Sequence, residues 1–318
     1  MKYSGIGGQA VIEGIMMMKG EDYAVAVRRP DKEIEVKKDT YQSITKKAKI
    51  LQLPFVRGVF RFADSMIIGM RSLSYSASFF EDDEDAEPGK FEQLLDRVFG
   101  EKLESAIMAA VLVISFILAI AIFMLLPLGI ANLFKGVITS DHLMAVLEGV
   151  IRIAIFIIYI KLVSRMEDIR RTFMYHGAEH KCINCVEHGH PLTVKYVRES
   201  SKEHKRCGTS FILIVMVISI LMFMVIRVDT IWMRILSRII LVPVIAGISY
   251  EVLQCAGRSN SKFMDLVSRP GMWMQGLTTK EPDDSMIEVA IAATEAVFDW
   301  REYLTENFPV WEKQLEES

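Results

Sequence analysis

The apolar positions of this 318-residue chain fall into runs of two kinds. The first kind is long and unbroken. No charged residue occurs between Glu104 and Lys135, and Cys207 to Ile226 is a second charge-free run of 20 residues. A helix needs roughly 20 apolar residues to cross the hydrocarbon core of a bilayer, so each run predicts a membrane span. Two further stretches, 143–163 and 231–250, are long enough but carry charges: Glu148 with Arg152, and Arg234 with Arg238. Each pair is spaced four apart and shares a helix face. Charge at that depth is expensive, which predicts an intramembrane ion pair in the first span and snorkelling arginines in the second. A transporter reading finds little else, because four spans are few and no inverted repeat is visible.

The second kind of run is periodic. Tyr23 to Lys38, "YAVAVRRPDKEIEVKK", alternates on both sides of Pro30-Asp31, the pattern of a β-hairpin. Upstream, "GIGGQAVIEGIMM" reads as a glycine-bracketed strand on which Gln9 and Glu13 are polar enough to line a site. Its glycines lack the spacing of a dinucleotide or P-loop cradle. From Pro54 to Ala77, Phe55, Val59, Phe62, Met66, Met70 and Leu73 recur at helical spacing, with Arg57, Arg61 and Arg71 on other faces. This predicts an amphipathic helix at the membrane interface. The acidic run Glu81 to Pro88 reads as a solvated linker. Pro282-Asp283-Asp284 opens a capped helix that reaches about Trp300.

Lysines and arginines orient the spans. Residues 1–104 hold 16, segment 164–206 holds nine and the tail after Tyr250 holds six, whereas the connections around Lys135 and Arg227 hold one each. The positive-inside rule then places both termini and the 164–206 loop in the cytoplasm. No basic start precedes a short apolar core, so no cleavable signal peptide is expected. The expected fold is a mainly α-helical polytopic membrane protein with about four transmembrane helices. A small N-terminal β-containing cytoplasmic segment (1–50) precedes the interfacial helix (54–80), the acidic lead-in (81–104) and the first two spans (105–163). The cytoplasmic His/Cys loop (164–206), the last two spans (207–250) and a cytoplasmic tail (251–318) with a helix at 283–300 follow.

Composition agrees and adds exclusions. A mean hydropathy of +0.28 is high for a soluble domain of this length. A net charge of −3 does not suggest a nucleic-acid binder, and four cysteines cannot staple a secreted scaffold.

Those cysteines carry more information by position. Eight of the ten cysteines and histidines lie between His176 and Cys207, in "YHGAEHKCINCVEHGHP" and "HKRCGTS". His176, Glu179 and His180 form H-x-x-E-H; on a helix, both histidines can grip one metal while the glutamate activates water, as in inverted zincins. His204, Cys207 or Glu251 would supply a third ligand, and Gly177 is an unfavourable residue within such a helix. Alternatively, Cys182-x2-Cys185 with His204-x2-Cys207 resembles a structural zinc knuckle. Surface histidines and small buried cysteines are the third possibility.

At "YHGAEHK", "RCGTSF" and "GISYE" the chain resembles the YqhQ-type family of bacterial membrane proteins, a domain of unknown function described as predicted metal-dependent enzymes. "GGQAVIEGIMM", "LPFVRG", "PGMWMQGLTTKEP" and "IEVAIAA" extend the resemblance along nearly the whole chain. The family pattern falls on His176, Glu179, His180, His204, Cys207 and Glu251. It departs at Lys205, where the familiar form has proline, and at Cys182 and Cys185, which weakens the knuckle. The resemblance implies a bacterial cytoplasmic-membrane enzyme with a divalent transition metal, zinc foremost, held by His176 and His180 with His204, Cys207 or Glu251. Glu179 would be the general base of a hydrolase meeting a lipid or a membrane protein at the bilayer. The alternative is a non-catalytic scaffold or biogenesis factor with a structural metal.

Overall fold

A computed structural model describes residues 2–80, 103–204, 206–226, 230–258, 261–308 and 311. The acidic run Glu81–Pro88 and Arg227 lie outside them, as does the side chain of Arg234. The chain forms two compact units, Met1–Phe80 with Ile160–Met222 and Ile226–Ser318, and Glu81–Tyr159 with Phe223–Val225. It is mainly helical, and four helices are long and apolar enough to cross a membrane: Val113–Asn132, Asp141–Val163, Gly208–Val225 and Ile235–Ala256. This is the make-up of a multi-pass membrane protein, and its spans fall where the charge-free and weakly charged runs predict them.

The smaller unit holds α2 (Leu103–Ile120), a π-turn at Ala121–Leu125, α3 (Leu126–Asn132) and most of α4 (Asp141–Val163). The expected intramembrane pair is present, with Arg152 donating to Glu148 at 2.7 Å and both side chains buried. The same guanidinium donates through Nε to the Phe123 carbonyl at 2.9 Å. Phe123 lies in the π-turn, where the widened helix ladder leaves a carbonyl available to an outside donor.

The larger unit begins with a four-stranded antiparallel sheet in the order β1 (Ile6–Val11), β2 (Gly14–Lys19), β3 (Asp22–Arg28), β4 (Ile34–Thr40). The predicted hairpin is β3–β4, with Tyr23 opposite Asp39. The segment expected as one strand is instead a second hairpin, reversing at Ile12-Glu13 with Glu13 at φ 47°. Gly14 permits that reversal to pack, since a Cβ there would lie 2.4 Å from the Ala26 carbonyl oxygen.

Helices cover both faces of the sheet. Ile6, Ile15, Met17 and Ala26 pack with Tyr175 and Ile183 of α5 (Glu167–Glu187) and Ile287 of α10 (Asp284–Val297). Asp283 caps α10 by accepting from Met286 N–H at 3.0 Å, as the Pro-Asp-Asp signal predicts. The opposite face, with Val11, Met16 and Val25, meets Ile68 of α1 (Val56–Ala77). The remaining helices are α6 (Val194–Glu199), α7 (Gly208–Val225), α8 (Ile231–Arg258), α9 (Lys262–Thr278) and α11 (Trp300–Asn307).

Helix α1 is inside-out by the standards of a soluble protein. Gly58, Asp64, Gly69, Ser72 and Ser76 are buried, while Phe62, Met66, Met70 and Leu73 are each close to half exposed. An apolar outer stripe with small and polar residues inward suits a lipid-facing helix. Small residues also set its crossing with α8. A Cβ on Gly58 would meet Tyr250 Cβ at 2.8 Å, and one on Gly247 would meet the Phe55 carbonyl oxygen at 2.4 Å. Gly58→Val should therefore destabilise the detergent-solubilised protein by about 1–3 kcal/mol. Gly129→Ala should not, because nothing lies within 4 Å of its Cβ position. Thermal melts of the two variants provide the comparison, and equal effects would contradict the close crossing.

Candidate metal centre

The H-x-x-E-H segment lies in α5, which puts His176 and His180 one turn apart, their rings 4.4 Å between centroids. Gly177, unfavourable by helix propensity, is accounted for by a neighbour: a Cβ there would lie 2.0 Å from the Lys280 carbonyl oxygen. The strap that causes this also orients the site. Lys280 N–H donates to the Phe173 carbonyl at 2.8 Å, and the Thr278 carbonyl lies 3.0 Å from His176 Nδ1. His180 Nδ1 lies 2.6 Å from the Lys202 carbonyl. A carbonyl oxygen can only accept, so both Nδ1 atoms carry the proton and both Nε2 atoms present lone pairs.

Those lone pairs meet a thiol. His176 Nε2 is 3.2 Å from Cys207 Sγ, and the ligand atoms of His176, His180 and Cys207 all lie within 4.8 Å of one another. Cys207 is the N-cap of α7, with Thr209 N–H donating to its sulfur at 3.4 Å. Ligands on one tetrahedral zinc sit roughly 3.3–3.8 Å apart given metal–ligand bonds of about 2.0–2.3 Å; the His176–Cys207 distance is close to this, and two imidazoles with a thiol suit zinc in chemistry. Among the described residues no fourth His, Cys, Asp or Glu joins this group.

The three residues border a cavity of about 540 Å³, and Glu179 lines it too. Burial raises the Glu179 pKa, against the opposing pull of His176 and of the Gly8 N–H. Gly8 is a required glycine, since a Cβ would come within 2.9 Å of Glu179 Cγ.

The other expected ligands go elsewhere. His204 lines the cavity, but its Nε2 is 3.5 Å from Glu187 Oε2, in a buried cluster with Arg206 and Ser4. Its ring centroid is 5.8 Å from that of His180, and burial lowers its pKa. Glu251 forms a two-point pair with Arg57 at 2.7 and 2.6 Å and also accepts from Phe55 N–H, joining α8 to the start of α1. Cys182 and Cys185 are buried in the core against the sheet, and Cys185 Sγ donates to the Pro191 carbonyl at 3.3 Å. Burial pushes the Cys185 thiol up to about 12 and the Cys182 thiol well above its ordinary value. The four knuckle residues are not brought together as one ligand set among the described residues. Gln9 packs against Gly69, and Glu13 pairs with Arg171 at 2.5 Å. Neither lines the cavity; the glycines of their strand do.

Several supporting residues carry no signature of their own. Lys181 donates to the carbonyls of Arg198 and Ser200, at 2.8 and 2.9 Å, and Asn184 to those of Ser201 and Glu203, at 2.6 and 2.9 Å. They hold the returning chain against α5 so that Cys207 arrives beside His176. Gln275 accepts from His204 N–H at 2.8 Å and donates to the His204 carbonyl at 2.7 Å and to Ser210 Oγ at 2.9 Å. Gln275, Thr278 and Lys280 belong to the "QGLTTKEP" motif. The polar run "EHKCIN" within a buried helix is the signal that marks Lys181 and Asn184.

A family profile described as "Protein of unknown function (DUF1385)" matches residues 53–300. The chain belongs to this family. It is also 34% identical over 286 residues to the "Uncharacterized protein YqhQ" of Bacillus subtilis (strain 168), covering 90% of this chain and 89% of that one. No solved structure matches. His176, His180, Cys207 and the "QGLTTKEP" residues that orient His176 lie within the family match.

The Glu187 cluster makes a pH prediction. Burial alone would raise its pKa, but the His204 hydrogen bond, the Arg206 charge and the Ser4 N–H outweigh it and hold the value at about 2 rather than 4.5. A depressed carboxylate contributes its stability above about pH 4.5 and loses it as pH falls toward 2. Glu187→Gln should thus cost about 3 kcal/mol at neutral pH. The gap from wild type should close through that window in denaturation midpoints, and a pH-independent gap would contradict it.

Proposed function

We propose that the protein is a metal-dependent membrane enzyme, a hydrolase acting at the cytoplasmic face on a lipid or membrane-protein substrate. His176, His180 and Cys207 would hold a divalent transition metal, with zinc the best match to the N₂S donor set. One observation carries this reading. Two backbone carbonyls hold the Nδ1–H groups while donor atoms of His176, His180 and Cys207 lie within 4.8 Å of one another, beside a cavity that Glu179 also lines.

A zinc ion, if held there, would supply Lewis-acid activation of water and of a carbonyl or phosphoryl oxygen. The chain supplies the rest. Glu179, on the turn between the two histidines, accepts a proton from attacking water and returns it to the leaving group. The Thr278 and Lys202 carbonyls keep both imidazoles in the metal-binding tautomer. Three protein ligands, rather than the closed four of a structural site, favour chemistry over a folding role.

Purified wild-type protein should retain roughly one equivalent of zinc. His176→Ala with His180→Ala should lose it while keeping its melting transition, and Glu179→Gln should keep the metal but lose about 10²–10⁴-fold in any metal-dependent hydrolysis. Elemental analysis of a wild type able to refill after chelation tests the site, and a wild type that takes up no metal sinks the proposal.

We also infer that both termini and the 164–206 segment face the cytoplasm, supported by the lysine and arginine distribution. A cysteine at Thr139 should react with an impermeant reagent in intact cells, whereas a C-terminal tag should need permeabilisation. The opposite pattern reverses the topology.

A further inference from the structure

Strand β1 is an edge: in the order β1-β2-β3-β4 it pairs with β2 alone. Its hairpin closes through the two residues Ile12-Glu13, with Val11 opposite Gly14. In such a hairpin the pair flanking the turn exchanges ladder hydrogen bonds, and alternate pairs follow. Val11, Gln9 and Gly7 therefore direct their backbone groups to β2, and Ala10, Gly8 and Ile6 direct theirs outward. Local partners agree: Ile6 N–H donates to Ser4 Oγ at 3.3 Å, and the Gly8 N–H faces the Glu179 carboxylate. No backbone donor among the described residues pairs with the outward carbonyls of Ile6 and Gly8.

This edge faces the cavity of the metal centre, whose wall includes Gly5, Ile6, Gly7 and Gly8 beside Glu179 and His180. Proteins usually cover, charge or twist away an unpaired edge. Here it is nearly bare of side chains. Gly7 is the informative position, because its φ is ordinary and a Cβ there would meet nothing within 4 Å. Neither backbone strain nor internal packing requires glycine at that point. A side chain there would project from the sheet face into the cavity beside the edge.

We propose that the β1 edge binds an extended polypeptide segment as an added strand, carrying its main chain past the His176–His180–Cys207 cluster. The proposal rests on the metal-enzyme reading for the role of that cluster, and it narrows the substrate class to protein. Residues 6–8 give a rail of about 10 Å at about 3.3 Å per residue, enough for about three residues of extended chain. The outward Ile6 and Gly8 carbonyls can accept from alternate N–H groups of a peptide main chain, whose successive side chains would point to opposite walls. The cavity also touches Gly208, the first residue of the α7 span, and Gln254, near the end of the α8 span. It therefore sits where helices leave the bilayer, the level of a juxtamembrane segment of a membrane protein. A lipid fits less well, because the acyl-sized apolar hollows of about 310 and 430 Å³ have different linings, around Leu213 and Val217 and around Val59 and Val244.

The test uses the full chain in detergent and a fluorescent alternating Val–Ala peptide, as the C-terminal amide and as the hydroxamate. N-methylating one alternate set of amides should weaken binding of the amide at least about tenfold, and methylating the other set by less than about twofold. Gly7→Val should keep its melting temperature and metal content and lose at least about tenfold in affinity for the unmethylated peptide. Equal responses to the two methylated sets, or wild-type affinity in Gly7→Val, overturn the proposal. Acetohydroxamate alone probes the metal. If it fails to bind while the amide still shows the alternation, the metal reading falls and the edge stands; if it binds and the alternation is missing, the edge falls. Hydrolysis of phosphatidylglycerol in mixed micelles, unaffected by Gly7→Val and without peptide alternation, makes the occupant a lipid and overturns the edge as well.

Discussion

The site depends on two hydrogen bonds from imidazole to backbone. Were Nδ1 of His176 or His180 free, each ring could rotate or change tautomer, and the pair would be two polar residues on a buried helix. With the Thr278 and Lys202 carbonyls fixed against them, the rings are held with one donor atom each of His176, His180 and Cys207 within 4.8 Å of one another. The carbonyls come from opposite sides of the sequence. Lys202 belongs to the chain returning from α5, and Thr278 to the end of α9, brought in by the strap that runs over Gly177. A larger residue at 177 would push that strap away and release His176. Gly177 thus sacrifices helix propensity for the approach of one carbonyl.

The same constraint explains the dense polar lacing of segment 198–204. A chain that must deliver Cys207 to within 3.2 Å of His176 cannot be an ordinary surface loop. Lys181 and Asn184, buried on the helix that carries the histidines, hold the carbonyls of Arg198, Ser200, Ser201 and Glu203, and Lys181 also pairs with Glu281. Buried polar groups of this kind are tolerated because each donor is used, and their loss would leave both helix and loop with unsatisfied groups.

Much of this was legible from residue spacing. The four spans, the β3–β4 hairpin, the Glu148–Arg152 pair and the capped α10 follow from charge-free length, period-two alternation, an i, i+4 pair and an acidic N-cap, all local signals. The first hairpin was not legible, because Ile12-Glu13 is a turn without glycine, asparagine or proline in its two central positions, and the surrounding glycines suggested a single strand. The closeness of His176 and His180 on one helix was readable, and which of His204, Cys207 and Glu251 lies beside them was not. Glu251 goes to Arg57 and His204 to Glu187, partners 194 and 17 positions away in sequence. No local pattern reports such a pairing. Long-range partners decide which of several chemically suitable residues remains available.

Cys207 links the cluster to an apolar helix. It is at once the N-cap of the α7 span and the nearest recorded partner of His176 Nε2, so the position of the sulfur is tied to where that helix starts. Phe211, one turn into α7, stacks on Phe62 of α1 at 5.5 Å, and α1 in turn is bound to α8 through Gly58, Gly247 and the Arg57–Glu251 pair. The His176–His180–Cys207 cluster is therefore tied to the apolar helices α7, α1 and α8 as well as to the sheet-facing helix α5. A free-standing soluble domain carrying the same histidines would lack the sulfur, since Cys207 is held by a helix whose apolar length needs a bilayer. That dependence gives a physical reason for a hydrophilic His/Cys segment to be built between spans in the same chain.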